Sequence, residues 1–546
     1  MRRSLSLARG ALSARPSTRA RLAAAALLAI SASLLAPEAL AAQLDITTAS
    51  IAELQAAMKA GLSSEALVNA YLARIKAYED AGPKLNAIIL LNAEALKQAK
   101  ALDQERKSGK LRGPLHGVPI VLKDNFDTFD MPTTAGSMAL KGSIPPNDAF
   151  VVKKLREAGA IILAKTNLSE FASTANGPDG FSSLGGQTLN PHDLTKGPRG
   201  SSGGSGAGIA AGYAQFGLGT DTGGSVRYPC SANGIAGLKP TRGLMSRDGI
   251  VPLALSYDTG GPMARSVADV AMALGVMTGV DPADAATAPS AGQFKTDYTQ
   301  YLVKGSLKGA RIGVARDFMG QDAEVDKIMD ASYAKLKALG ATVVEVKLPE
   351  MLTKARADLL KPISGREFKA QIGVYLQTLK PDYPKSLAEM IAKLDAMGTA
   401  YTNPWRLANM KEAEATTGGL EDPIYKVAKN EGLALVTATT KAVFQQQQLD
   451  ALVYPTMPMP ATPFAAPPPD APRPQMYANL ANQTGFPDLI VPAGMTSAGL
   501  PVTLSFLGLA WSEPKLFGYG YDFEQATQAR VLPRHTPALK TDVITY

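Results

Sequence analysis

The chain has 546 residues, 46% hydrophobic and 19% charged, a composition that can bury a large core and excludes wholesale disorder. Its formal charge is +8, but six Arg and one Glu fall within residues 1–41, and without that stretch the charge is +3. The remaining Lys and Arg are dispersed among acids instead of forming a stripe, which argues against a nucleic-acid partner.

The chain opens with Arg2, Arg3, Arg9, Arg15, Arg19 and Arg21, runs through an apolar stretch from Leu22 to Ala36, and reaches Ala39-Leu40-Ala41. Basic, then apolar, then small-x-small is the order of a secretory signal. The apolar run is shorter than the ~20 residues a spanning helix needs, so residues 1–41 are expected to be removed. The mature chain, 42–546, is then periplasmic or secreted, with no permanent membrane anchor. The lone cysteine, Cys230, allows no internal disulfide and no thiolate metal cluster. As a nucleophile it would need a nearby His to form its thiolate.

Ser50 and Glu53 form a capping box that opens a helix, and Leu67, Val68, Leu72, Ile75 and Tyr78 follow at helical spacing. From Gly117 to Asp124 the pattern changes to alternation, with Val118, Ile120 and Leu122 on one face: a strand that ends in the polar Lys123-Asp124-Asn125. Polar clusters at strand ends are where α/β sites form. Phe150 to Ala158 reads as a helix, Gly159 as a turn and Ala160 to Ala164 as a second strand, an α/β signature. Residues 176–237 are dense in Gly and Ser, and Phe216-Gly217-Leu218 is strand-like. Farther on, residues 305–450 alternate strand and helix patterns around Ile312-Gly313-Val314 and Thr342-Val343-Val344. The nine prolines from Pro455 to Pro474 favour an extended loop.

Two glycine-rich stretches carry the chemistry, Gly200-Ser201-Ser202-Gly203-Gly204-Ser205-Gly206 and Gly219-Thr220-Asp221-Thr222-Gly223-Gly224-Ser225-Val226-Arg227. A flexible linker is one reading of the first, but apolar segments flank it and a helix-like piece separates it from the second. Phosphate cradling fails for want of a Walker sequence or a spaced G-x-G-x-x-G. Gly200-x-Ser202-x-Gly204 fits the nucleophile elbow of α/β-hydrolases, yet that order of triad residues would leave only His535 as base, in a polar tail. His116 and His192 are the only other histidines, and His116 reads as structural. The base for a serine nucleophile is then a lysine held neutral by burial, which means lowering its pKa by about 3 units, or about 4–5 kcal/mol. Lys123, at the end of an apolar strand, suits that role. Lys165 and Lys239 read as structural or surface lysines.

With these motifs the chain resembles the amidase signature family, most closely bacterial peptide amidases. The resemblance spans about residues 45–541. It rests on Gly113-Pro114-Leu115-His116-Gly117-Val118-Pro119, on Lys123-Asp124-Asn125, on the two glycine-rich stretches, and on Gly237-Leu238-Lys239-Pro240-Thr241. Ser246 to Pro252 and Trp511 to Leu516 are similar to the peptide amidases. It implies a single large α/β domain built on a mixed, largely parallel central sheet with helices on both faces. The signature core would cover about 113–275 and a variable substrate-pocket region about 300–475.

Carried onto this sequence, the resemblance makes Lys123 the base, Ser201 a bridging serine behind a cis Gly200-Ser201 bond, and Ser225 the nucleophile. The backbone amides of Thr222, Gly223, Gly224 and Ser225 would form the oxyanion hole, because two glycines let a chain turn several N–H groups toward one point. Ser202 either joins the relay or supports the loop, and Asp221 and Arg227 order the glycine-rich turn. The implied reaction is hydrolysis of a carboxamide, a peptide C-terminal amide, aryl amide or other small amide, with no metal or organic cofactor. Two alternatives share these residues: an amidotransferase subunit of the same family and a non-catalytic binding protein on this scaffold. Monomer and homodimer both remain open, and the candidate pocket segments are Asn176 to Phe181 and the stretch after Pro455.

Overall fold

Residues 42–174, 177–464, 476 and 479–546 are described by the computed structural model. The expected signal, Asn176 and residues 465–475 of the proline-rich stretch lie outside these. Leu44–Ile544 form one unit; outside it, the Tyr546 amide donates to the Ala42 carbonyl at 2.9 Å.

The first half of the chain lays down β1 (Ile88–Leu91), β2 (Pro119–Lys123), β3 (Ile161–Thr166), β4 (Phe216–Asp221), β5 (Ala236–Lys239) and β6 (Thr259–Ala264). The second half adds β7 (Arg311–Ala315), β8 (Thr342–Val346), β9 (Ala451–Pro455), β10 (Asp488–Met495) and β11 (Pro501–Leu507). Among the described residues all of them join one sheet, ordered β8-β7-β9-β11-β10-β5-β6-β4-β2-β3-β1. Parallel pairing is confined to β2 with β3 and β4, and to β7 with β8 and β9. The other pairings are antiparallel.

The sheet is therefore mixed, but the expectation that it is largely parallel fails. A parallel pair needs a crossover of a dozen or more residues, such as the segment carrying Phe150–Glu157 between β2 and β3. The connection between β10 and β11 is far too short for one, so they pair antiparallel. The alternation read at 117–124 also gives way. Every residue of β2, β3, β4 and β5 is buried, because both faces of the sheet are covered and neither needs a polar row.

The capping box at α1 (Ile51–Ala60) is present: Ser50 Oγ accepts from the Glu53 amide, and the Glu53 carboxylate accepts from the Ser50 amide at 2.7 Å. Helix α2 (Ser64–Ile75) follows, and α3 (Phe150–Glu157) returns the chain from β2 to β3. Next come α4 (Gly203–Ala210), α5 (Arg227–Asn233) and α6 (Val267–Met277). Helix α4 is buried along its whole length against β2, β3, β4 and β6, so the glycine-serine tract is packed structure and not a linker. A Cβ on Gly204 would come within 2.5 Å of backbone atoms of Ala87 and Asn167, and glycine there is what allows the approach.

Downstream, α7 (Glu350–Gln377), α8 (Leu387–Met397) and α9 (Pro404–Glu414) build a helical layer on the loops beside β2 and β3. Phe368, Ile372, Met390 and Met410 pack with Ala135, Leu140 and Phe171 in one apolar cluster. Each large side chain so buried contributes about 1.5–3 kcal/mol. The Tyr375 hydroxyl donates to the buried Asp127 carboxylate at 2.8 Å and ties α7 to the core.

Candidate active site

Lys123 is the last residue of β2, and the register that pairs Leu122 with Leu218 brings Thr220 of β4 just past that strand end. The lysine side chain is fully buried. Its Nζ lies 2.7 Å from Ser201 Oγ and 2.7 Å from Thr220 Oγ1. Burial pushes its pKa down to about 7, against the upward pull of the Asp221 and Asp258 charges. A large share of Lys123 is thus uncharged at neutral pH and able to take a proton from the hydroxyl beside it.

Ser201 stands two residues before α4 and is itself buried. The Gly200–Ser201 peptide is cis, as the resemblance implies. The Ser201 carbonyl accepts from the Ser169 amide at 3.0 Å, anchoring this turn to the loop after β3. Ser202 is engaged on both sides of its hydroxyl. It accepts from the Thr220 amide at 3.2 Å and donates to the Thr220 carbonyl at 3.3 Å, so it fastens the tract to β4. Its own amide donates to the Ser225 carbonyl at 3.2 Å, which draws the two glycine-rich stretches together.

Ser225 lies on the turn from β4 into α5 and, with Gly223, is only partly buried. Accessibility therefore rises from the lysine, through Ser201, to Ser225. The turn is held from beneath. Asp221 accepts from the amides of Gly224 at 2.7 Å and Val226 at 3.1 Å, and from Asn482 Nδ2 at 2.8 Å. Arg227 donates to Asp221 and, through Nη1, to Asp488 Oδ2 at 2.9 Å. Burial alone would raise the Asp221 carboxyl, but the Arg227 charge and hydrogen bonds outweigh it and hold it well below the usual carboxylate range. One expectation is corrected here: the Gly224 amide is committed to Asp221, which leaves Thr222, Gly223 and Ser225 as candidate oxyanion donors. Gly224 is needed for another reason, since its φ is +111° and a Cβ would fall against the Tyr228 ring.

Lys165 and Lys239 are buried, which excludes the surface reading for both. Lys165 Nζ donates to the Phe126 carbonyl at 2.7 Å and faces Asp124 at 3.4 Å; Lys239 Nζ donates to the Pro240 carbonyl at 2.8 Å. His116 is a buried structural residue, its Nε2 2.9 Å from the Leu102 carbonyl. Cys230 is buried, and burial raises its thiol pKa well above the usual value.

Sequence reasoning missed Thr220 as a lysine partner, although the residue lies inside a quoted motif. It also missed Asp258, which accepts from Thr222 Oγ1 at 2.5 Å, and Asn482 and Asp488, which lie far along the chain. Of the candidate pocket segments, Phe181 packs edge-on against Trp405 of α9. A small cavity lined by Ala172, Thr220, Thr222, Val251, Leu253 and Asp258 adjoins the lysine end of the site.

A family model described as Amidase matches residues 66–517. A glutamyl-tRNA(Gln) amidotransferase subunit from Cyanothece sp. is 38% identical over 457 residues, 82% of this chain and 91% of that protein. A probable amidase from Arabidopsis thaliana is 36% identical over 487 residues, 87% of this chain and 88% of the relative. Among solved structures, native peptide amidase from Stenotrophomonas maltophilia superposes with a TM-score of 0.83 at 43% identity, covering 89% of this chain and 99% of that one. An amidase family protein from Bacillus anthracis superposes with a TM-score of 0.81 at 32% identity, covering 90% and 93%.

Proposed function

This chain belongs to the amidase family, whose enzymes hydrolyse carbon–nitrogen amide bonds, and from that premise we propose an exported amidase that acts on small carboxamides, peptide C-terminal amides foremost. Ser225 is the nucleophile, Ser201 the bridge and Lys123 the base. The observation that carries this reading is the buried lysine 2.7 Å from Ser201 Oγ, with its pKa brought down to about 7.

Ser225 Oγ attacks the amide carbonyl carbon as its proton passes to Ser201 and the Ser201 proton passes to Lys123. The oxyanion takes hydrogen bonds from the amides of Thr222, Gly223 and Ser225, each worth about 3–4 kcal/mol of transition-state stabilisation. The C–N bond then breaks as Lys123, through Ser201, returns a proton to the leaving nitrogen. Ammonia or an amine departs and Ser225 carries an ester. Water attacks that ester, giving its proton to the same relay; the C–O bond breaks, Ser225 regains its hydrogen and the acid is released.

The peptide-amide preference leans on the 43% identity to a peptide amidase. Export leans on the basic, apolar and small-residue order of residues 1–41. The curated amidotransferase relatives, 36–38% identical, favour a second reading, in which this chain works within a larger assembly. The purified chain alone, given a panel of peptide amides, aryl amides and esters, decides between them. The exported amidase turns over peptide amides unaided and traps a Ser225 ester visible by mass spectrometry. Ser225→Ala and Lys123→Ala each lose activity on the order of 10⁴-fold or more. Full activity in Ser225→Ala, or none in the wild type on any amide, ends the proposal.

A further inference from the structure

A neutral lysine amine has two N–H groups and one lone pair, and Lys123 Nζ has two hydroxyls at the same distance, Ser201 Oγ and Thr220 Oγ1, each at 2.7 Å. The relay works only if the lone pair faces Ser201. A hydroxyl hydrogen swings freely about its C–O bond, and if Thr220 turned its own O–H onto Nζ it would occupy the lone pair and leave Ser201 without an acceptor. What decides the matter is whatever holds Thr220 from its other side.

That neighbour is Asn125. Its Nδ2 donates to Thr220 Oγ1 at 3.1 Å, so the oxygen takes one N–H from Asn125 and one from Lys123. With both lone pairs filled, the Thr220 hydrogen is turned away from the lysine. The Asn125 side chain is buried and its Oδ1 has no partner among the described residues. A buried unmatched acceptor costs about 1–3 kcal/mol, so the return from this side chain lies in its Nδ2 contact rather than in a satisfied amide. The Asn125 backbone carbonyl accepts from the Val251 amide at 2.9 Å, which fixes the residue against the 246–258 loop.

We propose that Asn125 is a positioning residue for the relay: by donating to Thr220 it makes the threonine hydroxyl an acceptor toward Lys123 and thereby directs the lysine lone pair at Ser201. The chain of hydrogen bonds then has one sense, from Asn125 and from Lys123 into Thr220, and from Ser201 into Lys123. Asn125 acts through Thr220 and touches no reacting atom. The inference rests on the reading of Lys123 as base.

The test is a cycle of Asn125→Leu, Thr220→Val and the double variant, with Asn125→Asp beside them, each assayed for kcat and KM on a peptide amide across pH. Asn125→Leu is expected to lower the plateau kcat about 10–100-fold with KM unchanged, and the double variant to match Thr220→Val alone, because a residue that works through another adds nothing once that other is gone. In Asn125→Asp the carboxylate accepts the Thr220 hydrogen and still turns it away from Lys123. The plateau kcat then returns close to wild type, while the acid limb moves upward because the new charge favours the ammonium. Asn125→Asp keeps the shape of the side chain, so it reports even if the leucine variant folds poorly. Losses that add in the double variant, or an Asn125→Asp plateau as low as that of Asn125→Leu, overturn the proposal. A wild type inactive on all amides overturns the base assignment itself, whereas an active wild type with an equally active Asn125→Leu overturns only the role of Asn125.

Discussion

The Arg227 guanidinium donates to both carboxylate oxygens of Asp221, Nε to Oδ2 at 3.0 Å and Nη2 to Oδ1 at 3.2 Å, and neither side chain is exposed. The pair is the floor of the Ser225 turn, because Asp221 also takes the Gly224 and Val226 amides. Removing one member of a buried pair leaves the other as an uncompensated charge. Arg227→Ala, which strands both Asp221 and Asp488, is expected to cost about 3–5 kcal/mol. A lowered thermal midpoint together with lost amidase activity checks this; an unchanged midpoint contradicts it.

Lys123 acts only without its proton. With its pKa at about 7, kcat/KM is expected to rise with pH through about 7 and level off above it, falling tenfold per unit on the acid side. The stability contribution has the same sign. The unfolded lysine, near 10.5, holds a proton that the folded one has given up, so this group adds stability as pH rises from about 7 to 10.5 and loses it as pH falls back. A pH–rate profile without an acid limb between pH 6 and 8, an interval of about one unit either side of the value, removes the lysine from the mechanism.

Gly204 offers a steric prediction. A methyl group there meets the Ala87 carbonyl and both backbone polar atoms of Asn167, all within 2.5 Å, and backbone cannot step aside as a flexible side-chain tip can. Gly204→Ala is expected to destabilise by about 1–3 kcal/mol or more and to displace Ser201, with kcat falling further than the thermal midpoint alone explains. Chemical denaturation and steady-state kinetics on the same preparation separate the two effects.

Tyr375→Phe removes the donor to Asp127 at 2.8 Å while keeping the ring packed. Burial already raises the Asp127 carboxyl to about 7, with the Tyr375 bond opposing the rise. The variant is expected to lose about 1–3 kcal/mol and to loosen α7 from the core. Faster hydrogen exchange along Glu350–Gln377, with the sheet unchanged, is the signature to look for.

Export makes a prediction about the N-terminus. When the gene is expressed with residues 1–41 intact in a bacterium, N-terminal sequencing of the periplasmic or secreted fraction is expected to find chains beginning at Ala42. Activity confined to the cytoplasm in uncleaved form contradicts the reading.

Lys123 stood out in the sequence as a lysine closing an apolar strand, whereas Ser201 and Ser225 lie in glycine-rich stretches that hold several serines, and only the family resemblance singled them out. Strands β2, β3, β7 and β8 were legible as compact apolar runs. Strands β5 and β6 were not, since Ala236–Lys239 and Thr259–Ala264 are short and glycine-containing, and their identity comes from the partners the sheet supplies. Asp258, Asn482 and Asp488 had no signal at all. An acid in a loop reads as solvated surface until the fold buries it, and only antiparallel pairing of β4 with β6, Asp221 opposite Thr259, brings Asp258 up to Thr222. The largely parallel sheet was implied by the family resemblance; parallel pairing holds only around β2 and around β7, while the centre of the sheet is antiparallel.

Strand β10 lies between β5 and β11, so a segment made near the end of synthesis forms the middle of the sheet, and its first residue, Asp488, completes the grip on Arg227. A ribosome that has finished Ser225 has therefore not yet made a working turn; some 260 residues must still emerge before the floor beneath the serine closes. A nascent or truncated chain can carry every residue of the proposed relay and stay inert, and an enzyme that crosses a membrane unfolded would acquire its reactivity only on the far side.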